Sequence, residues 1–257
     1  GKVIAVANQK GGVGKTTTAV NLAACLAAAE KKTLLIDMDP QGNTTSGMGI
    51  DKQNLKHTIY DVLINGKSIL EVKKYTELNL LEIVPANIHL TGAEVEMVNM
   101  LSRETRLREA LDKEKQKYNF VIIDCPPSLG LLTINTLVAA DSVLIPIQCE
   151  YYAMEGLGQL INTVNLVKER LNTYLEVEGA LLTMHDNRLN LSQQVSDEIR
   201  KFFQNKVFKT TIPRNVALSE APSFGKPIIF YAIKSRGAEA YLELTKEVIN
   251  NNENSIR

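Results

Sequence analysis

Short apolar runs separated by longer segments of helical periodicity organise this chain. Val3-Ile-Ala-Val-Ala7, Thr33-Leu-Leu-Ile-Asp37, Leu80-Leu-Glu-Ile-Val84, Phe120-Val-Ile-Ile-Asp124, Ser142-Val-Leu-Ile-Pro146, Gly179-Ala-Leu-Leu-Thr183 and Val207-Phe-Lys-Thr-Thr211 each predict a strand. Runs so nearly apolar imply strands buried on both faces. Between them, Leu157, Leu160, Ile161, Val164, Val167 and Leu171 recur at spacings of three and four, the signature of one apolar stripe on a helix. This alternation predicts an α/β fold: a mostly parallel, doubly wound twisted sheet with helices on both faces. The pattern carries no repeat and no linker, so one domain is expected over residues 1–250. The polar residues 251–257 are expected to form a frayed tail.

Composition narrows the class. A chain of 257 residues can bury a substantial core without staples. Cys25, Cys125 and Cys149 are too few and too scattered for a disulfide framework, and none forms a C-x-x-C pair. The sequence has no apolar run of about 18 residues, and its N-terminal apolar stretch reads as a strand from Lys2 to Ala7 rather than a signal core. A soluble, cytoplasmic protein is expected. Net charge is zero, with 29 basic and 29 acidic residues, but the distribution is uneven. From Arg200 to Arg236 there are eight basic residues against one acidic residue, Glu220. That asymmetry points to an anionic partner for the C-terminal third.

The chemistry begins where the first strand ends. Asn8-Gln-Lys-Gly-Gly-Val-Gly-Lys-Thr-Thr17 leads into an Ala/Leu-rich stretch read as a helix from Thr16 to about Ala29. Strand, glycine loop and helix in that order are the context a phosphate loop requires. Glycines let backbone N–H groups turn toward phosphate, the helix N-terminus adds partial positive charge, Lys15 reaches the outer phosphates and Thr16 can ligate Mg²⁺. Gln9 stands where the standard pattern has glycine, while Gly11, Gly12 and a second lysine, Lys10, are additional. A dinucleotide fingerprint laid on Gly12 and Gly14 would need Gly or Ala where Thr17 stands, and it leaves Lys15 without a role. Two apolar strands end in acids. Asp124 is expected at the carboxyl edge beside the loop, within water-mediated reach of Mg²⁺. In Asp37-Met-Asp39 the two carboxylates share one side of an extended segment, and either can orient an attacking water.

These residues resemble a known family. Lys10-Gly-Gly-Val-Gly-Lys-Thr-Thr17 is similar to the deviant Walker A motif of the ParA/MinD ATPases, Asp37-Met-Asp-Pro-Gln-Gly-Asn43 to their A′ segment, and Ile123-Asp-Cys-Pro-Pro-Ser128 to their Walker B segment. Cys149-Glu-Tyr-Tyr-Ala-Met-Glu-Gly156, Ile212-Pro-Arg-Asn215, Ser219-Glu-Ala-Pro222, Gly225-Lys-Pro-Ile228 and Ser235-Arg-Gly-Ala238 resemble the chromosomal Soj type of ParA. The match runs from about Lys2 to Val248.

The resemblance implies a slow ATP hydrolase of the P-loop class, with ATP bound by Lys10, Gly11, Gly12, Val13, Gly14, Lys15, Thr16 and Thr17. It puts Pro213 and Arg214 near the adenine. Mg²⁺ would be held by Thr16, Asp37 and Asp124, partly through water, and Asp39 would position the hydrolytic water. Lys10 would reach across an ATP-bound homodimer to the partner copy's phosphates. The dimer would bind DNA non-specifically and be released by hydrolysis that a ParB-type protein stimulates, giving a nucleoid-associated protein that segregates chromosome or plasmid DNA. Arg188, Lys201, Lys226, Lys234 and Arg236 are the DNA-contact candidates. Ala217 departs from the basic residue common in Soj-type relatives, which shifts weight onto the other candidates. The alternative is a MinD-like membrane-cycling ATPase. That reading needs a basic amphipathic C-terminal helix, whereas the end from Leu242 to Arg257 is acidic and polar, so no stable membrane association is expected. Relatives carrying iron–sulfur clusters would need paired cysteines, which the sequence lacks. For a metabolic ligase, no second substrate motif is visible.

Overall fold

The computed structural model describes residues 1–150, 154, 156–186 and 188–254. Tyr151, Tyr152, Ala153 and Glu155 of the motif Cys149–Gly156 therefore lie outside the described residues. Eight strands form one sheet: β1 Lys2–Val6, β2 Thr33–Asp37, β3 Lys74–Tyr75, β4 Leu81–Val84, β5 Phe120–Asp124, β6 Ser142–Gln148, β7 Glu176–His185 and β8 Ile212–Pro213. Their order is β3-β4-β2-β5-β1-β6-β7-β8. Every pairing is parallel except β3 with β4. The expected doubly wound sheet is what forms, and β1 stands near its middle.

Alternate residues of the central strands feed two cores. Val3, Ala5, Leu34, Ile36, Val121 and Ile123 face one side, where Leu157, Leu160, Val164 and Val167 of the helix Leu157–Arg170 pack. Ile4, Val6, Leu35 and Ile122 face the other side, with α1 (Lys15–Ala28) and Tyr241, Leu244 and Val248 of the last helix, Arg236–Asn254. Truncating any of these leucines to alanine would cost about 2–5 kcal/mol. The site therefore rests on strands that cannot shift cheaply.

The structure corrects several boundaries. Val207–Thr211 is not a strand. Val207 makes an isolated bridge to Ala180, and pairing resumes only at Ile212. The amides of Lys209 and Thr210 donate instead to the carboxylate of Glu247, at 2.8 and 3.1 Å, so a side chain of the last helix takes the place of a ladder partner. Leu171 lies one residue beyond its helix and is 37% exposed. The polar tail is helical through Asn254, four residues into the stretch expected to fray. Asn252 donates to Glu178 at 2.7 Å and Lys31 pairs with Glu253 at 3.0 Å, which ties that turn to the body. β6 and β7 run longer than their apolar cores, and the short strand β3 had no sequence signal.

Candidate active site

The loop between β1 and α1 lies at the carboxyl edge of the sheet, its shape set by two glycines. Gly12 and Gly14 adopt φ 75° and 90°, where a side chain would be strained. A Cβ on Gly11 or Gly12 would meet nothing within 4 Å, so the loop's inner surface is open to a ligand. Its ends are pinned: Asn8 donates to the Pro146 carbonyl at 2.7 Å, and Thr183 donates to the Val13 carbonyl at 2.8 Å. Gly14 caps α1 with no side-chain hydrogen bond, which leaves the first amides of that helix to an anion. Lys15 is 7% exposed and donates to the Lys10 carbonyl at 2.9 Å. Desolvation lowers its pKa, opposed by the negative charge of Asp124. Thr17 lines a cavity of about 350 Å³ together with Gly14, Thr183, Pro213, Arg214 and Tyr241. Loop and adenine candidates are thus brought to one hollow.

Beneath the loop lie the acids. Asp37 and Asp124 end adjacent parallel strands in direct register, and both are fully buried. Asp37 is saturated: its Oδ1 accepts from the Asp39 amide at 3.1 Å, and its Oδ2 accepts from the amide and hydroxyl of Thr45 at 2.8 and 2.7 Å. Asp124 differs. Its Oδ2 accepts from both Thr16 and Thr44, at 2.8 and 2.7 Å, while Oδ1 is buried with no partner. Burial pushes Asp37 up to about 6, against the hydrogen bonds from Thr45. Asp124 is pushed up to about 7 by burial and then by the neighbouring charge of Asp37. Asp39 is 8% exposed and accepts from the Gln41 amide at 2.9 Å.

Lys10 extends to Glu150, with Nζ 3.8 Å from one carboxylate oxygen, and Arg214 stands 3.8 Å from the other. The DNA candidates do not gather on one element. Lys201 lies on the helix Asn190–Phe203, which covers the first core, and Arg188 just precedes it. Lys226, Lys234 and Arg236 belong to segments packed on the second core. All five are exposed. Arg188 donates twice to Asp186, at 2.9 and 2.7 Å, so its charge is locally offset. Lys226 lines a second hollow with Thr16 and Thr17, next to the loop. Ala217 packs against the second core, where a small apolar residue fits. Sequence reasoning assigned no role to Thr44, Thr45 or Glu150; the local signals were a threonine pair behind the Asp-Pro-Gln-Gly turn and the place of Glu150 in the segment Cys149–Gly156. A larger cavity, about 650 Å³ and lined by Tyr60, Asp61, His89 and Glu96, contains none of the loop residues. Volume alone does not find a site built from backbone amides on an open surface.

Residues 1–177 match a family model described as an AAA domain. The chain is 60% identical over 251 residues to the sporulation initiation inhibitor protein Soj of Bacillus subtilis, covering 98% of this chain and 99% of that protein. It is also 60% identical over 249 residues to the chromosome partitioning protein ParA of Myxococcus xanthus, covering 97% and 88%. The chain belongs to the Soj/ParA family of partition ATPases. It is accordingly an ATP-hydrolysing enzyme of the P-loop class. Among solved structures, cobyrinic acid a,c-diamide synthase from Mycobacterium smegmatis with bound ADP and magnesium superposes with a TM-score of 0.87 at 36% identity, covering 98% of this chain and 95% of that one. No helix among the described residues is long and apolar enough to cross a membrane.

Proposed function

We propose that this ATPase is a nucleotide switch that dimerises on ATP, holds DNA non-specifically as a dimer, and lets go on hydrolysis stimulated by a ParB-type partner. The family relationship supports the partition cycle, and the observation that carries its nucleotide-binding step is the orphan Oδ1 of Asp124, buried beneath an open glycine cradle and beside the Thr16 hydroxyl. An all-oxygen donor set next to a phosphate cradle suits Mg²⁺. Thr16 and Asp124 would hold the ion, which would neutralise phosphate charge. Asp37, with both oxygens engaged, acts through the turn it holds. The N–H groups of Gly11, Gly12, Val13 and Gly14 cradle the phosphates, Lys15 leaves the Lys10 carbonyl to join them, and Thr17, Pro213 and Arg214 border the nucleoside. Asp39 orients the attacking water. Lys10 exchanges Glu150 for the phosphates of the second copy, as an arginine finger does in trans.

DNA contact falls to Lys226, Lys234 and Arg236, with Lys201 on the helix packed against the other face of the sheet and Arg188 in the turn before it. Dimerisation doubles such phosphate contacts. The helix Arg236–Asn254 lends no support to the membrane-cycling alternative, because its apolar residues Tyr241, Leu244 and Val248 are buried against the core. Light scattering and DNA gel shifts with ATP, ADP and no nucleotide, each at two salt concentrations, test the reading. Dimers and DNA retention with ATP alone are expected; retention independent of nucleotide would overturn it. Arg236→Glu is expected to weaken DNA binding and flatten its salt dependence.

A further inference from the structure

Thr44 has no role so far, yet its hydroxyl bonds directly to the acid cluster. It sits on α2 (Asn43–Gly47), is fully buried, and donates to Oδ2 of Asp124 at 2.7 Å, across 80 residues of sequence. Its neighbour Thr45 shows what a purely structural threonine looks like here. That hydroxyl donates to Asp37 and accepts from the Ala86 amide at 2.9 Å, and both Asp37 oxygens are engaged. Asp124 is served asymmetrically. Two hydroxyls crowd Oδ2 while Oδ1 has none. A carboxylate kept only for packing would be satisfied at both oxygens, because an unmet buried acceptor costs about 1–3 kcal/mol.

We propose that Thr44 is a positioning residue for Mg²⁺: by holding Oδ2 it fixes the Asp124 carboxylate with Oδ1 left as the oxygen offered to the ion. Thr16, the other donor to Oδ2, is itself a ligand candidate. A hydroxyl that ligated the ion through its oxygen would keep its proton on Oδ2, so Thr44 would be the second donor to that oxygen and the one that lies outside the loop. The inference rests on the ATP and Mg²⁺ reading above. Groups that orient a metal ligand typically contribute about 10–100-fold to metal affinity.

Calorimetric titration of ATP at graded Mg²⁺ concentrations, from excess chelator upward, tests it in the full chain. Thr44→Val removes the hydroxyl and keeps the shape; Thr44→Ser keeps the hydroxyl. The Val variant is expected to need about 10-fold more Mg²⁺ to reach half of the ion-dependent gain in ATP affinity. Its ATP affinity in chelator should match the parent, and Ser should restore the parental response. Should Val not fold, Thr44→Ala supplies the hydroxyl-free arm. A Mg²⁺-responsive parent with an unshifted hydroxyl-free variant would overturn the role of Thr44 alone, as would a Ser variant as impaired as Val. A parent whose ATP affinity ignores Mg²⁺ would overturn the metal reading and this inference with it.

Discussion

Two buried carboxylate sites in this protein are built on opposite terms. On β4, toward one side of the sheet, Glu82 is nearly buried but fully served. Lys73 approaches both of its oxygens, at 3.1 and 2.9 Å, Tyr118 donates its hydroxyl, and Lys32 stands 5.3 Å from the Tyr118 ring. Under the phosphate loop, Asp124 is more deeply buried and has no cation in contact among the described residues. The nearby Lys15 is spent on the Lys10 carbonyl. The first cluster is complete in itself. The second is unfinished without a ligand, which supports the proposal that it is the working site.

The largest expected effect separates the two lysines. Lys15→Ala should abolish measurable ATP binding while changing stability little, whereas Lys73→Met should leave ATP binding intact and cost about 3 kcal/mol or more by stranding Glu82. Calorimetry with ATP and denaturant melts check both, and unchanged ATP affinity in the Lys15 variant would collapse the contrast. Next in size, the same acid-to-amide change should act with opposite sign. Glu82→Gln should destabilise the nucleotide-free protein, while Asp124→Asn should stabilise it by about 1 kcal/mol and remove Mg²⁺-dependent nucleotide binding. Asp39→Ala should retain ATP binding and dimerisation but stop turnover; a phosphate-release assay at the parental rate would reassign the water-positioning role.

The smallest effect is in the pH dependence of stability without nucleotide. Asp37 and Asp124 are raised from 3.8 to about 6 and about 7, so between roughly pH 4 and pH 7 the folded state keeps protons the unfolded chain has lost. Stability should therefore fall as pH rises through that window. Glu82 is held below its ordinary 4.5 by Tyr118 and Lys73 against its own burial, so its contribution is present above that value and is lost as pH falls through the lowered one. Melting curves should show the near-neutral slope flatten in Asp124→Asn alone and the acid-side loss shrink in Glu82→Gln alone.

Much of the site was legible because its signals are local. Apolar runs closing on Asp37 and Asp124 mark strand ends, and Gly12 and Gly14 mark positive φ, all within a few residues of the chemistry they serve. The shifted strand after Val207 was not legible, because its amides bond to Glu247 nearly forty residues away. Nor was the split of the basic candidates between the two faces of the sheet, since charge along a sequence says nothing about which layer carries it.

The sequence by itself determined a parallel α/β sheet, a phosphate loop at its carboxyl edge and acids at the ends of two other strands, because periodicity and glycine conformation act over short spans. Tertiary structure alone decided that Asp37 is saturated and Asp124 is not, since that depends on where Thr16, Thr44 and Thr45 come to rest. Hydrogen-bond satisfaction is a property of groups meeting across the fold, and no local pattern encodes it.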